Sequence, residues 1–320
     1  MIYVFVYVGE VGYELLNWQG VVRKFSRTIS DDDKIVVCGR SGVESWYEFA
    51  DQYIDISSVE LYNNSVSDCH QCYYDVGDHR IRRGGIIDEM ERGILEYIAH
   101  KISFEGDNRV IFSNHFYAGR GTIINGLQFG NGSIYGPPHR LPIEQNEYVK
   151  FPAGTHLKES IQDRLGFDLD EPFILCQTAW RDRVQRSKVI IDKSTIVKSL
   201  AKKVKVVLLG FSTGKATESE SKFDHIDNCY NIHVSSFEEQ SCLIHFAQKC
   251  VFFTEGDFRS HIYMPPMLGK DVYAIASADI YQLHSANEST LRFWNDNVFQ
   301  FGGQIKPIVY ETMNIEELYD

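Results

Sequence analysis

Three short polar segments gather residue types that hold or move charge, and each follows an apolar run that reads as a buried strand. The first is Thr254-Glu255-Gly256-Asp257-Phe258-Arg259-Ser260-His261. Asp257 can cap a following helix, and the free N–H groups at such a start favour anions, diphosphates above all. Ser260 and the backbone, Gly256 included, would hold phosphate. Glu255 would accept from sugar or ribose hydroxyls. His261, on the first helical turn, would act as a neutral donor or as a cation. The same residues also read as a plain helix cap followed by a packed histidine.

The second segment is Trp180-Arg181-Asp182-Arg183-Val184-Gln185-Arg186-Ser187-Lys188, which sets three arginines and a lysine within nine residues. Guanidinium forks grip phosphate oxygens in pairs, and lysine adds a point charge. Arg181, Arg183 and Lys188 would neutralise a leaving diphosphate where no metal does so. A solvated basic loop paired with surface acids is the other reading. The third segment is Gly9-Glu10-Val11-Gly12, whose glycines allow a tight turn from strand to helix. Glu10 stands where a carboxylate serves as general base for a hydroxyl, or where it only complements the helix dipole. Glu14, one turn on, reads as structural. Two glycines without a third and a downstream acid fall short of the dinucleotide fingerprint, which disfavours a Rossmann oxidoreductase.

Other patterns fail on spacing. Gly210-Phe211-Ser212-Thr213-Gly214-Lys215 ends in Gly-Lys without the P-loop interval, and reads instead as a loop lying against a nucleotide. Asp168-Leu169-Asp170 and Asp31–Asp33 precede strands, whereas ligands of open α/β sheets bind past the strands' carboxyl ends. Both read as solvated turns. Cys69-His70-Gln71-Cys72, with His79 nearby, lacks a second cysteine pair to complete a tetrahedral zinc site, and reads as a loop with two free thiols.

Composition sets the outer bounds. The 320 residues are 43% hydrophobic, enough for two cores at roughly 150 residues each. The net charge of −12 argues against a general nucleic-acid binder, though not against a local basic groove. Seven scattered cysteines fit reduced thiols. No apolar run approaches the ~18 residues of a membrane span. The opening MIYVFVYVGE reads as a first strand rather than a leader, which places the protein in the cytoplasm.

The elements that must carry these segments alternate. Ile2–Val8, Lys34–Cys38, Tyr53–Ile56 and Val110–Phe112 read as strands, with helices over about 13–27, 44–50 and 86–102. Residues 113–155 break the rhythm with glycines and aromatics, as a ligand-binding lid or an irregular connection with a small hairpin. Phe151-Pro152-Ala153-Gly154 reads as a linker. The alternation then restarts. Strands are expected at Phe173–Gln177, Val189–Ile191, Val204–Gly210, Asn231–Val234, Val251–Thr254 and Val272–Ala276. Helices are expected over 156–165, 195–203, 236–248 behind a Ser236/Glu239 capping box, and 258–268 with Pro265 and Pro266 inside. Alternation of this kind predicts parallel sheets covered by helices.

The stretch FFTEGDFRSHIYMPPMLGKDVYAIA resembles the strand–T/N-D-S-G-x-x-H–helix–L-G-K-P/V–strand unit of two-Rossmann (GT-B) glycosyltransferases, the heptosyltransferase-like group in particular. Glu255 stands where that pattern has Asp, one extra residue precedes His261, and Asp271 replaces an apolar residue or Pro. GEVGYELLNWQG is similar to the G-E-x-G-W-E-L opening of many sugar transferases, and the segment ending at Ser187-Lys188 to the family's phosphate-contacting Arg/Lys stretch. The resemblance implies an α/β fold of two facing Rossmann-like α/β/α domains with the active site in the cleft. Residues 1–155 would form the acceptor domain and 156–320 the donor domain; the C-terminal tail, from about Thr290 on, reads as helical in part and as packing back on the first domain.

The implied reaction is metal-independent transfer of a sugar from a nucleotide-diphosphate sugar to an acceptor hydroxyl. The nucleotide sugar is a co-substrate, and no cofactor or metal is expected. Glu10 would be the base. Arg181, Arg183, Lys188, Gly210, Phe211, Glu255, Gly256, Asp257, Ser260 and His261 would hold the donor. Gly9, Gly12, His115 and Arg120 would meet a carbohydrate or small-molecule acceptor. A viral-type enzyme that glycosylates hydroxymethylated bases in DNA, using Arg82, Arg83, Arg120 and Arg140, is the alternative partner reading. A non-catalytic nucleotide-sugar-binding module is the other.

Overall fold

The structure is a computed structural model that describes residues 1–8, 11–59, 62, 91–102, 107–113, 122–124, 127–129, 146–178, 187–211, 223, 225–256, 258, 260–283 and 286–319. The chain forms two compact units, Met1–Tyr148 and Val149–Asp320. Phe151–Gly154, expected as a linker, is tied into the second unit. Phe151 N–H donates to the Met267 carbonyl at 2.9 Å, and Gly154 N–H to Ser241 Oγ at 2.9 Å.

In the first unit, β1 (Ile2–Val6), β2 (Lys34–Gly39), β3 (Gln52–Asp55) and β4 (Asn108–Phe112) form a parallel sheet in the order β3-β2-β1-β4. Strand alternation sends β1 side chains to opposite faces. Tyr3 and Phe5 meet Phe25 edge-on at 4.9 and 5.3 Å. Val4 and Val6 join Ile94 and Ile98 of a helix over 91–99 on the other face. The helix after β1, here α1, starts as Val11–Tyr13, passes through a π-helical stretch Glu14–Trp18 and continues as Gln19–Ser26. Residues expected as a helix over 44–50 make only a 3₁₀ turn, Glu44–Tyr47. In the irregular stretch, β5 (Thr122–Ile124) and β6 (Leu127–Phe129) pair as an antiparallel hairpin.

The second unit holds β7 (Phe173–Gln177), β8 (Lys205–Phe211), β9 (Cys229–Val234), β10 (Lys249–Phe253), β11 (Val272–Ala276) and β12 (Ile305–Val309). All six are parallel, in the order β12-β11-β10-β7-β8-β9. Helices α2 (Lys158–Leu165), α3 (Lys193–Ala201), α4 (Phe237–Phe246), α5 (Ser260–Met267) and α6 (Glu288–Asn297) accompany them. Ile174, Cys176, Val206, Leu208, Val251 and Phe253 form one buried cluster with Ile196, Val197 and Leu200 of α3. The intervening Phe173, Leu175, Val207, Leu209 and Phe252 are buried as well, as expected of a parallel sheet covered on both faces.

Local chemistry sets the helix ends. Asp192 caps α3 by accepting from Thr195 N–H at 3.1 Å, and Ser236 caps α4 by accepting from Glu239 N–H at 3.1 Å. Pro265 and Pro266 fall in the last turn of α5, where they withhold two N–H donors, and Gly269 closes the turn at φ +77°. Asp168 and Asp170 form a turn bridged by Lys158, at 3.7 and 2.7 Å. No disulfide joins the five described cysteines, Cys38, Cys176, Cys229, Cys242 and Cys250. Cys69–Cys72 lies outside the described residues.

The tail, expected to be helical in part from about Thr290, is helical over Glu288–Asn297. Residues 305–309 form the sixth strand, and residues 313–319 pack on α3 of their own unit. There Leu318 is buried in the α3 cluster, and Tyr319 donates its hydroxyl to the Ser199 carbonyl at 2.6 Å. On β12, Pro307 is paired with Ala274, so its ring nitrogen faces away from β11. Ile305 turns the same way, and the Asn295 amide takes both its backbone groups, at 2.9 and 3.0 Å. Among the described residues no helix is long and apolar enough to cross a membrane.

Candidate functional site

In the six-stranded sheet the chain runs outward from β7 through β8 to β9, then crosses back to β10 and runs outward on the other side. Strand order therefore reverses between β7 and β10, and the crevice past their carboxyl ends is where open α/β sheets take ligands. The described parts of the two segments expected to bind a donor, Thr254–Gly256 and Ser187-Lys188, come to this place. Thr254 continues β10 through its N–H to the Ile275 carbonyl at 2.9 Å, and its hydroxyl donates to the Gly256 carbonyl at 2.9 Å. Ser187 N–H donates to the Glu255 carbonyl at 3.1 Å, so the end of the basic segment sits directly on the Glu255–Gly256 turn.

Glu255, expected to accept from a bound hydroxyl, turns both carboxylate oxygens inward. Oε1 accepts from Ile191 N–H at 3.3 Å and Oε2 from Lys193 Nζ at 3.3 Å, with the carboxylate side chain 4% exposed. Lys193 Nζ also donates to the Thr178 carbonyl, just past β7, at 2.9 Å. A second carboxylate grips the segment from β11. Asp279 Oδ2 accepts from Lys188 N–H at 2.9 Å, and Oδ1 from Ser187 Oγ at 3.2 Å and from Ser277 Oγ. Ser187 and Ser277 share a hydrogen bond of 2.7 Å. The bonds from Ser277 and from Lys188 N–H hold the Asp279 carboxyl below the usual carboxylate range. Residues 187–191, expected as a strand at 189–191, are thus irregular and fixed by side chains rather than by a ladder.

Lys188 has its backbone anchored and is itself exposed. Gly210 and Phe211 end β8 at the same edge of the sheet. Gly256 is buried in the turn, Ser260 opens α5, and half-buried His261 lies with its ring 5.9 Å from that of Phe252. Arg181, Arg183 and Asp257 lie outside the described residues, as do the side chains of Phe211 and Ser260.

In the four-stranded sheet the order reverses between β1 and β4. Ser113, just past β4, accepts from Val8 N–H at 2.7 Å and donates to the Val8 carbonyl at 2.8 Å. It thereby fixes the strand end that leads into Gly9 and Glu10. Those two residues, with His115 and Arg120, lie outside the described residues, and Gly12 sits in the first turn of α1. Behind that turn, fully buried Glu14 accepts from Arg40 Nε at 2.8 Å and from the Tyr47 hydroxyl at 2.9 Å. Burial raises the Glu14 pKa, against the pull of Arg40 and Tyr47. The Tyr53 hydroxyl donates to the Arg40 carbonyl at 2.7 Å. The structural reading of Glu14 agrees with this network. Arg40, Lys193, Ser277 and Asp279 carried no sequence signal, because each acquires its role from a partner far along the chain.

Two all-parallel, helix-covered sheets, four-stranded and then six-stranded, define an α/β fold of the two-Rossmann, GT-B type. The chain is similar to solved heptosyltransferases of that fold over nearly its whole length. Against E. coli ADP-heptose LPS heptosyltransferase II the TM-score is 0.51 at 11% identity, over 97% of this chain and 91% of that one. Against E. coli heptosyltransferase WaaC with ADP it is 0.52 at 10%, over 99% and 98%. Against a glycosyl transferase family 9 protein from Veillonella parvula it is 0.54 at 8%, over 96% and 86%. No protein-family model and no curated protein matches the sequence.

Proposed function

We propose that the chain is a glycosyltransferase that moves a sugar from a nucleotide-diphosphate sugar to an acceptor hydroxyl. The observation that carries the reading is the seating of the basic segment's end, Ser187-Lys188, on the Glu255–Gly256 turn at the strand-order reversal of the second sheet. A cation on that junction would stand near a helix start, whose N–H groups favour an anion. Glu10 takes the acceptor proton as its oxygen attacks the anomeric carbon. The bond from that carbon to the diphosphate breaks, and the departing charge is met by Arg181, Arg183 and Lys188 together with the start of α5. These cations do the work a metal would otherwise do. Glu255 serves the site as an anchor of the cradle.

The test is calorimetry and steady-state kinetics with a panel of nucleotide diphosphates and their sugars. Lys188→Ala is expected to weaken nucleotide diphosphate binding by roughly ten- to a hundredfold, the worth of one charged hydrogen bond. Glu10→Gln is expected to keep donor affinity and lose about 10²- to 10⁴-fold in turnover. Unchanged donor affinity in Lys188→Ala, or a fully active Glu10→Gln, removes the role assigned to that residue.

A further inference from the structure

We infer that Ile190 is the apolar contact for the nucleobase of the donor, a specificity-determining position on the ledge that carries Lys188. The inference rests on the donor reading above and deepens it. Ile190 is 77% exposed, against 41% and 38% for Met1 and Leu95, the other exposed large hydrophobic residues among those described. An isolated apolar side chain on a surface is ordinary, but this one is not free to fold away. On one side Val189 N–H donates to Ser187 Oγ at 2.9 Å and Lys188 N–H to Asp279 at 2.9 Å. On the other, Ile191 N–H is held by Glu255 at 3.3 Å, and the Ile191 side chain is 4% exposed in the core. Two buried or partly buried carboxylates therefore fix the backbone on both flanks and leave Ile190 standing in water.

The order of chemistry along the ledge matches that of a nucleoside diphosphate. Lys188 and Ile190 are two residues apart, so at most about 7 Å separates their backbones, the scale of the ribose between phosphate and base. A transferred sugar is clothed in hydroxyls and asks for polar partners. The base is the one part of the donor with a broad apolar face, and binding sites line such faces with hydrophobic side chains while a few polar groups set orientation.

Inorganic pyrophosphate and nucleoside diphosphates separate the two contacts, since both share the phosphates and only the second has a base. Calorimetry on the full-length protein and on Ile190→Ala would use ADP, UDP, GDP and CDP beside pyrophosphate. Loss of the side chain is expected to weaken the best-bound nucleoside diphosphate by about tenfold, the scale set by missing methylenes in an apolar contact. Pyrophosphate binding and the unliganded melting temperature stay unchanged. Equal loss for both ligands, or tight nucleoside diphosphate binding that Ile190→Ala leaves intact, overturns the inference while the donor reading stands. A wild-type protein that binds neither ligand overturns the donor reading itself.

Discussion

The Lys193 ammonium stands 3.3 Å from Oε2 of Glu255, with the two side chains 5% and 4% exposed, and the pair joins the start of α3 to the turn after β10. An ion pair this deep is a constraint more than a source of net stability, because desolvation offsets most of the Coulomb gain. Its loss is the costly event. Glu255→Gln keeps the shape of the carboxylate but leaves the lysine without its counter-charge. It is expected to cost about 3–5 kcal/mol in urea unfolding, and adding Lys193→Met should recover a substantial part. A single variant within about 0.5 kcal/mol of wild type would show that the pair does not hold the ledge.

The pH dependence of stability should carry the mark of Glu14. Burial raises its folded-state pKa above the ordinary 4.5, so the native state keeps this proton to higher pH than the unfolded chain does. The stabilisation from binding that proton is complete below the ordinary carboxylate pKa. It is lost as pH rises through the raised value, so stability falls with pH across that window. Chemical denaturation of wild type and Glu14→Gln over the window checks the sign. The downward slope should be absent from the variant, and a variant with the same slope assigns it to another group.

Gly269 and Gly166 offer a controlled comparison. Both hold positive φ, +77° and +75°, but a Cβ on Gly269 would come within 2.6 Å of the Phe301 carbonyl, while one on Gly166 meets nothing within 4 Å. Gly166→Ala pays only the left-handed backbone strain, about 1 kcal/mol. Gly269→Ala adds a clash with backbone, and its melting temperature should fall further. Equal melting temperatures would mean that the chain around Phe301 yields freely.

Most of the fold was legible because buried parallel strands write themselves as apolar runs. Phe173–Gln177 and Val272–Ala276 match their predicted bounds to the residue. β12 was hidden by Pro307, which demotes a strand pattern and is tolerated here only because its nitrogen faces outward. The π-helical stretch at Glu14–Trp18 has no period of its own to read. At the site, the basic segment and the Glu255 turn were visible as charge and turn chemistry, and their junction follows from the topology. The inward turn of Glu255 was not visible, because it depends on Lys193, 62 positions earlier. Carboxylates look alike in sequence, and only packing separates one that meets a ligand from one that fastens a loop.

The outermost strand of the six-stranded sheet bears on how the protein behaves in a crowded solution. Exposed strand borders are templates on which foreign chains add themselves, through rows of idle N–H and C=O groups. Along β12 that row is broken twice, by a proline with no hydrogen to give and by a side-chain amide that already occupies the groups of Ile305. Self-templated growth from this flank is thereby discouraged, and replacing Pro307 by a β-branched residue would reopen it.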